Sequence, residues 1–313
     1  MKLRIGYLST FYHTSILMIA RGTLNSEIGI EADWNLYGTG PAIVDAFEKD
    51  EIDIAYIGLP PAIIGICRGV NIICIAGGHI EGTVLSGKSQ FRPFPEIGKL
   101  DEILKQFSGL KIGVPGTGSI HDVIISESLK NFSLDKEIEL LNFRWADEVL
   151  EAICKDKISA AVGTPALAVA VKHYAGGKVL YPPADLWPNN PSYGIVVEKS
   201  FLRKENALVE RFLVLHEETE SFLRNNTDNA SHIIADTVGV IYKKFVRETL
   251  ELSPKYCAHI TEEYISTTMS FVTALTRLGY INRSITPEEI FDTSLINKIH
   301  TEKDHYGSGI SVA

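Results

Sequence analysis

Short apolar runs alternating with amphipathic stretches set the rhythm of this chain. Residues 3–8 (Leu-Arg-Ile-Gly-Tyr-Leu) read as a strand, and a helical pattern follows over 14–22. The next units are a strand at 31–37, a helix at 41–49, a strand at 52–57, a helix at 61–68 and a strand at 72–76. Such alternation predicts an α/β fold of βαβ units, with a mostly parallel sheet flanked by helices. Residues 87–99 break the pattern with Gly87, Pro93, Pro95 and Gly98, as a crossover would. A second α/β run follows, with strands at 111–114, 139–143, 160–162, 178–181 and 193–197 and helices at 119–131, 146–155 and 165–174. From about residue 201 to 299 the period is helical throughout, carried by Phe212, Leu215, Phe222, Phe271, Leu275 and Leu278. These last helices are expected to pack on the first lobe, and the tail from Lys303 reads as loosely held.

Length and charge narrow the function classes. The 313 residues are about twice a common domain length of roughly 150, which predicts two lobes. Thirty Lys and Arg against 39 Asp and Glu leave a net charge of −9, and no basic cluster stands out, so a nucleic-acid surface is not expected. No apolar run reaches the roughly 20 residues of a bilayer-spanning helix, which predicts a soluble protein. The sequence opens directly on a strand pattern, so it is expected in the cytoplasm as it stands, and in the periplasm or at the cell surface if a leader has been removed. Cys67, Cys74, Cys154 and Cys257 lie in apolar segments without metal-ligand spacing and read as buried thiols. His300 and His305 are placed to bind a metal together, but they read as part of a solvated tail, and no metal or cofactor is expected.

Candidate chemistry concentrates where strands meet helices. Gly82 to Ser89 fits the phosphate-loop expression GxxxxGK[ST], but Thr83-Val84-Leu85 is β-prone and Pro93 and Pro95 forbid the helix that must face the phosphate. Gly116-Thr117-Gly118-Ser119-Ile120-His121-Asp122 follows a strand and opens a helix, so its N–H groups suit an anion, with Ser119 as N-cap. Gly38-Thr39-Gly40-Pro41, Gly58-Leu59-Pro60-Pro61 and Gly163-Thr164-Pro165 are three more junctions of the same make. Such junctions put small polar groups at the carboxyl edges of parallel strands, where open α/β sheets bind ligands. His13, His79 and His121 fall near the same edges. The stiff loop from Leu186 to Tyr193 offers Trp187 and Tyr193 as pocket walls or as interlobe packing.

Several of these stretches, taken in order, resemble the substrate-binding proteins of ABC importers for nitrate, sulfonates and taurine, which are similar in turn to thiamine-pyrimidine synthases. The residues that carry the resemblance are Ile5-Gly6-Tyr7 through His13, Gly38-Thr39-Gly40-Pro41, Ala46 through Gly58, and Lys111 through Ser119. The helical close adds Phe201-Leu202, Val209 through Leu213, Leu278-Gly279-Tyr280-Ile281 and Ile290-Phe291-Asp292. The resemblance implies a two-lobed type II periplasmic-binding fold, with lobe 1 formed by residues 1–86 and 195–313 and lobe 2 by residues 87–194. It implies ligand contacts from Tyr12, His13, Thr39, Gly58, Leu59, Pro60, Thr83, Thr117, Gly118, Ser119, His121 and Thr164. It also implies a small, anionic ligand held between the lobes and presented to an ABC permease. The alternative is a cytosolic enzyme on the same fold, a lyase or biosynthetic synthase acting on a carboxylated or pyrimidine-type substrate. The cysteine-rich motif of the synthases has no counterpart here.

Overall fold

Apolar residues at alternate positions build the first strand, β1 (Lys2–Leu8), in which Leu3 and Ile5 are buried while Lys2 reaches solvent beside Glu31 and Asp33. The computed structural model describes residues 2–303, 305 and 306. After β1 come α1 (Thr14–Arg21), α2 (Thr23–Ile28), β2 (Glu31–Tyr37), α3 (Gly40–Glu48), β3 (Ile54–Ile57), α4 (Leu59–Cys67) and β4 (Ile72–Ile80). The chain crosses at residues 81–83 into β5 (Val84–Gly87), α5 (Leu100–Lys105), β6 (Lys111–Pro115), α6 (Ile120–Asn131), β7 (Glu139–Phe143) and α7 (Ala146–Cys154). Strand β8 (Ala160–Gly163), α8 (Pro165–Tyr174), β9 (Lys178–Tyr181) and α9 (Pro183–Leu186) follow, and residues 187–190 lead back into β10 (Pro191–Glu198). The close is helical: α10 (Lys199–Lys204), α11 (Asn206–Asn225), α12 (Thr227–Val238), α13 (Lys243–Leu252), α14 (Glu262–Leu278), α15 (Pro287–Ile290) and α16 (Ile296–Ile299).

Two five-stranded sheets result, one ordered β2-β1-β3-β10-β4 and the other β7-β6-β8-β5-β9. In the first, β1 pairs parallel with β2 and β3, and β10 runs antiparallel between β3 and β4. In the second, β6 pairs parallel with β7 and β8, and β5 runs antiparallel between β8 and β9. Each sheet is thus parallel except for one strand, and that strand is the one arriving from the other lobe, which enters from the opposite end. The boundaries expected at 86/87 and 194/195 fall inside β5 and β10. The sheets change a few residues earlier, because Val84 to Gly87 pairs along β8 and β9, and Pro191 to Gly194 already lies along β3 and β4.

The C-terminal helices reach further than lobe 1. Helix α11 packs on α1 and α2, while α14 lies across both α4 and α6, and α13 meets α8. Phe245 of α13 packs against Val169 and Ala170 of α8, and Glu248 takes Lys172 at 2.9 Å and His173 at 3.1 Å. Arg277 of α14 pairs with Glu127 of α6 at 2.5 Å. The second lobe is therefore tethered to the first by these helices as well as by the two crossovers. Two expectations change at the side-chain level. Cys154 is exposed and Cys67 half-buried, since α7 turns Val149, Ala152 and Ile153 inward and leaves Cys154 on the outer face. His300 is buried, its ring stacks on His259 and His305, and Tyr306 packs against the core, while residues 304 and 307–313 of the expected tail lie outside the described residues. No helix among the described residues is long and apolar enough to cross a membrane.

Candidate functional site

The sheet directions decide where the site lies. Strands β1, β2 and β3 of one lobe and β6, β7 and β8 of the other each feed a helix at their carboxyl end, and those ends face one another. His13 stands at the N-cap of α1, Thr39 of α3, Gly58 of α4, Ser119 of α6 and Thr164 of α8, while Ala146 is the first residue of α7. All six line one cavity between the lobes, of about 70 Å³. The first turns carry N–H groups without intrahelical partners, only that of Leu59 in the Leu59-Pro60-Pro61 start of α4, and each has a partial positive charge near half a unit, so six dipoles converge on the cavity. Ser119 and Thr164 cap their own helices, accepting from Asp122 N–H at 3.3 Å and Leu167 N–H at 3.2 Å. No side chain caps α1, α3 or α4.

Neutral aromatic and polar groups complete the wall. Tyr12 is buried, with His13 edge-on at 4.8 Å and His79 at 4.6 Å between ring centroids. The His13 ring lies 3.9 Å from that of Tyr193, and its Nδ1 is buried without a hydrogen-bond partner among the described residues. Burial, with His79 and His216 nearby, holds the His13 pKa well below its ordinary value. Burial alone lowers His121 to about 4, and its Nδ1 meets the Thr83 hydroxyl at 2.9 Å. Both imidazoles are therefore neutral at pH 7. No Lys, Arg, Asp or Glu lies among the residues lining the cavity. The lobes meet tightly at its rim, since a Cβ on Gly38 would come within 2.9 Å of the Trp145 indole.

Behind His13 runs a buried polar network. The Tyr193 hydroxyl donates to Glu220 Oε1 at 2.5 Å, and burial raises the Glu220 pKa well above the carboxylate range. His216 meets Gly77 O through Nε2 at 2.8 Å and Thr14 Oγ1 through Nδ1 at 2.8 Å. His216 therefore donates from Nε2 to the carbonyl and accepts the Thr14 hydroxyl proton at Nδ1. The hinge is bonded across its two strands: Glu81 N–H donates to Asn190 O at 2.7 Å, Asn189 N–H to Glu81 Oε1 at 3.0 Å, and Gly82 N–H to Ser192 Oγ at 2.6 Å. Ser192 Oγ also meets His79 Nδ1 at 2.9 Å, and Ser192 lines the cavity.

Of the residues expected at the ligand, Tyr12, His13, Thr39, Gly58, Ser119, His121 and Thr164 come together on the cavity wall. The others do not. Leu59 and Pro60 are buried in the first turn of α4, Thr83 sits behind His121, and Tyr193 sits behind His13. Thr117 faces solvent, and Gly118 is turned toward Ile64 and Tyr280 with its N–H donating to Asp122. Trp187 stacks on Phe271 of α14 at 4.7 Å, which makes it interlobe packing. Sequence reasoning passed over Ser9, Thr10, Ala146 and Ser192. The turn before Ala146, Arg144-Trp145, lacks the Gly, Thr and Pro that marked the other junctions, although its position after a parallel strand was signal enough.

This arrangement has relatives. The model of the NMT1-like family matches residues 1–238. The chain belongs to that family. Among curated relatives, a Brucella abortus protein named "Putative binding protein" is 24% identical over 290 residues, covering 89% of this chain and 81% of its own. The NMT1-like fold also aligns with the periplasmic aliphatic sulphonate binding protein SsuA from Escherichia coli, at a TM-score of 0.76 and 16% identity, over 94% of this chain and 92% of that one. The periplasmic nitrate-binding protein NrtA from Synechocystis PCC 6803 aligns at a TM-score of 0.76 and 12% identity, over 95% and 88%. The two-lobed α/β architecture of the NMT1-like chain is thus that of type II periplasmic-binding proteins.

Proposed function

We propose that this NMT1-like chain captures a small anion between its lobes and presents it to an ABC-type permease. One observation carries the reading: six helix N-termini, three from each lobe, converge on one interlobe cavity without a charged side chain in its wall. Dipoles fixed in that way stabilise negative charge without burying a cation whose desolvation would oppose closure. A water needs about 10–15 Å³ on this measure, so about 70 Å³ suits a ligand of only a few non-hydrogen atoms. The names of the solved relatives, for sulphonate and for nitrate, agree with that class. Contacts from both lobes favour the closed state by the ligand's differential affinity for it, and closure reports occupancy to a partner.

The test is thermal unfolding and calorimetry with nitrate, short alkylsulfonates, small carboxylates and pyrimidines. An anion is expected to raise Tm, with stabilisation of about 2.7 kcal/mol at 100 times its Kd. Its affinity should be level near pH 7, where both imidazoles are neutral, and increase as pH falls from about 6 toward 4.5, because a bound negative charge draws the depressed His13 and His121 pKa values upward. Stabilisation only by neutral compounds, with affinity falling over the same interval, would reject the anion. The enzymatic alternative would use His13 or His121 as a general base, and burial that holds His121 at about 4 works against it. Turnover abolished by His121→Ala in a folded protein would nevertheless establish that role.

A further inference from the structure

Beside the hinge, outside the ligand cavity, the loop between α13 and α14 meets His300 and His305. Cys257 Sγ lies 4.0 Å from His300 Nε2 and 3.8 Å from His305 Nδ1, and the two nitrogens are 3.1 Å apart. Zinc bonds of about 2.3 Å to sulfur and about 2.0–2.1 Å to nitrogen put tetrahedral donors about 3.3–3.6 Å from one another. The three atoms therefore trace one face of a distorted tetrahedron, its two sulfur edges longer and its nitrogen edge slightly shorter than these values. Cys257 and His300 are buried.

A second feature points the same way. His300 Nδ1 lies 2.9 Å from Glu217 Oε1, which fixes the tautomer that carries its proton on Nδ1 and turns the Nε2 lone pair toward Cys257 and His305. A carboxylate behind a histidine in this manner is how ligating imidazoles are oriented and made more basic. His259 stacks on both histidines, at 5.0 Å from His300 and 4.7 Å from His305, and its Nδ1 is buried without a hydrogen-bond partner among the described residues. A nucleophilic role for Cys257 fits less well, because the thiol is buried and burial pushes its pKa up to about 12.

We propose that Cys257, His300 and His305 bind a zinc-class divalent transition metal, with Glu217 positioning His300 and the fourth place taken by water or by His259. The metal would replace the thiol proton and the proton shared by the two imidazoles, releasing them to solvent. It would tie residues 300–305 to the loop at Cys257. That loop is already bonded to β4, through Cys257 N–H to Gly78 O at 3.0 Å and Gly77 N–H to Ala258 O at 2.7 Å. Bound metal would thus brace the wall of the hinge without entering the ligand cavity.

The experiment uses the full chain without a histidine tag, stripped with chelator and titrated with Co²⁺ and then Zn²⁺. One equivalent of Co²⁺ should give a thiolate-to-cobalt charge-transfer band that Zn²⁺ removes, and Zn²⁺ should raise Tm. Cys257→Ser should abolish the band. His305→Gln should weaken Zn²⁺ at least about tenfold, and Glu217→Gln should weaken it about 10–100-fold. Absence of the band in the unmodified protein, or Zn²⁺ affinity unchanged in both Cys257→Ser and His305→Gln, would overturn the assignment. Either result leaves the anion reading of the cleft untouched.

Discussion

At the scale of single residues, burial decides protonation, and protonation decides stability. Desolvation holds His79, His121 and His216 at about 4, and His13 also well below its ordinary value near 6.5. Between pH 6.5 and 4 the unfolded chain binds protons that the folded chain refuses. The stability these histidines contribute is therefore complete above about 6.5 and erodes as pH falls, by up to about 1.4 kcal/mol per pH unit for each of them. Scanning calorimetry from pH 7 to 4.5 should show a steep fall in Tm, made shallower by His79→Gln or His121→Gln. Glu220 works in the opposite sense. Its raised pKa means that its contribution is complete below about 4.5 and lost as pH rises, so Glu220→Gln, which keeps an acceptor for Tyr193, should stabilise the protein at pH 8 relative to pH 5. A Tm difference between variant and parent that is constant across this range would contradict the buried carboxyl. None of these shifts is visible in the sequence, where His13, His121 and His216 look alike and Glu220 is one acidic residue in an amphipathic helix.

At the scale of elements, most of the architecture was legible. The period-two runs and the helical stretches between them place β1 through β4 and β6 through β8 within a few residues, because parallel strands buried on both faces must be apolar and short. The short strand β5 was not placed beyond a β-prone Thr83-Val84-Leu85, because Val84 to Gly87 owes its strand state to pairing with β8 and β9, which are more than 70 residues away. The hinge next to it carries a sharp steric constraint. A Cβ on Gly82 would fall 2.5 Å from Ser192 Oγ, the group that its own N–H bonds. Gly82→Ala should therefore cost about 1–3 kcal/mol in urea unfolding, by crowding and by displacing Ser192 from His79. An unchanged midpoint would mean that the hinge yields more readily than this packing implies.

At the scale of the whole molecule, function depends on two lobes meeting. Gly38 packs closely against Trp145 across the cleft rim, so Gly38→Leu should hold the lobes apart. The expected result is ligand affinity lowered by more than about tenfold with little change in the ligand-free Tm, since a surface contact is lost while each core stays intact. Small-angle scattering should show the parent contracting on ligand addition and the variant remaining extended; equal contraction would remove Gly38 from the closing contact. The amino-acid sequence alone determined the α/β class, the order of its units and the Gly, Thr and Pro junctions that open helices at strand ends, because these follow from local periodicity and turn chemistry. Tertiary structure alone decided which junctions face the cavity, that Thr117 and Trp187 turn away, that α13 and α14 tether the second lobe, and that Cys257 meets His300 and His305. Local patterns fix φ and ψ and the face of a helix, whereas a site assembled from residues as far apart as Leu8 and Ser192 depends on how sheets and helices pack, and that packing has no local signature.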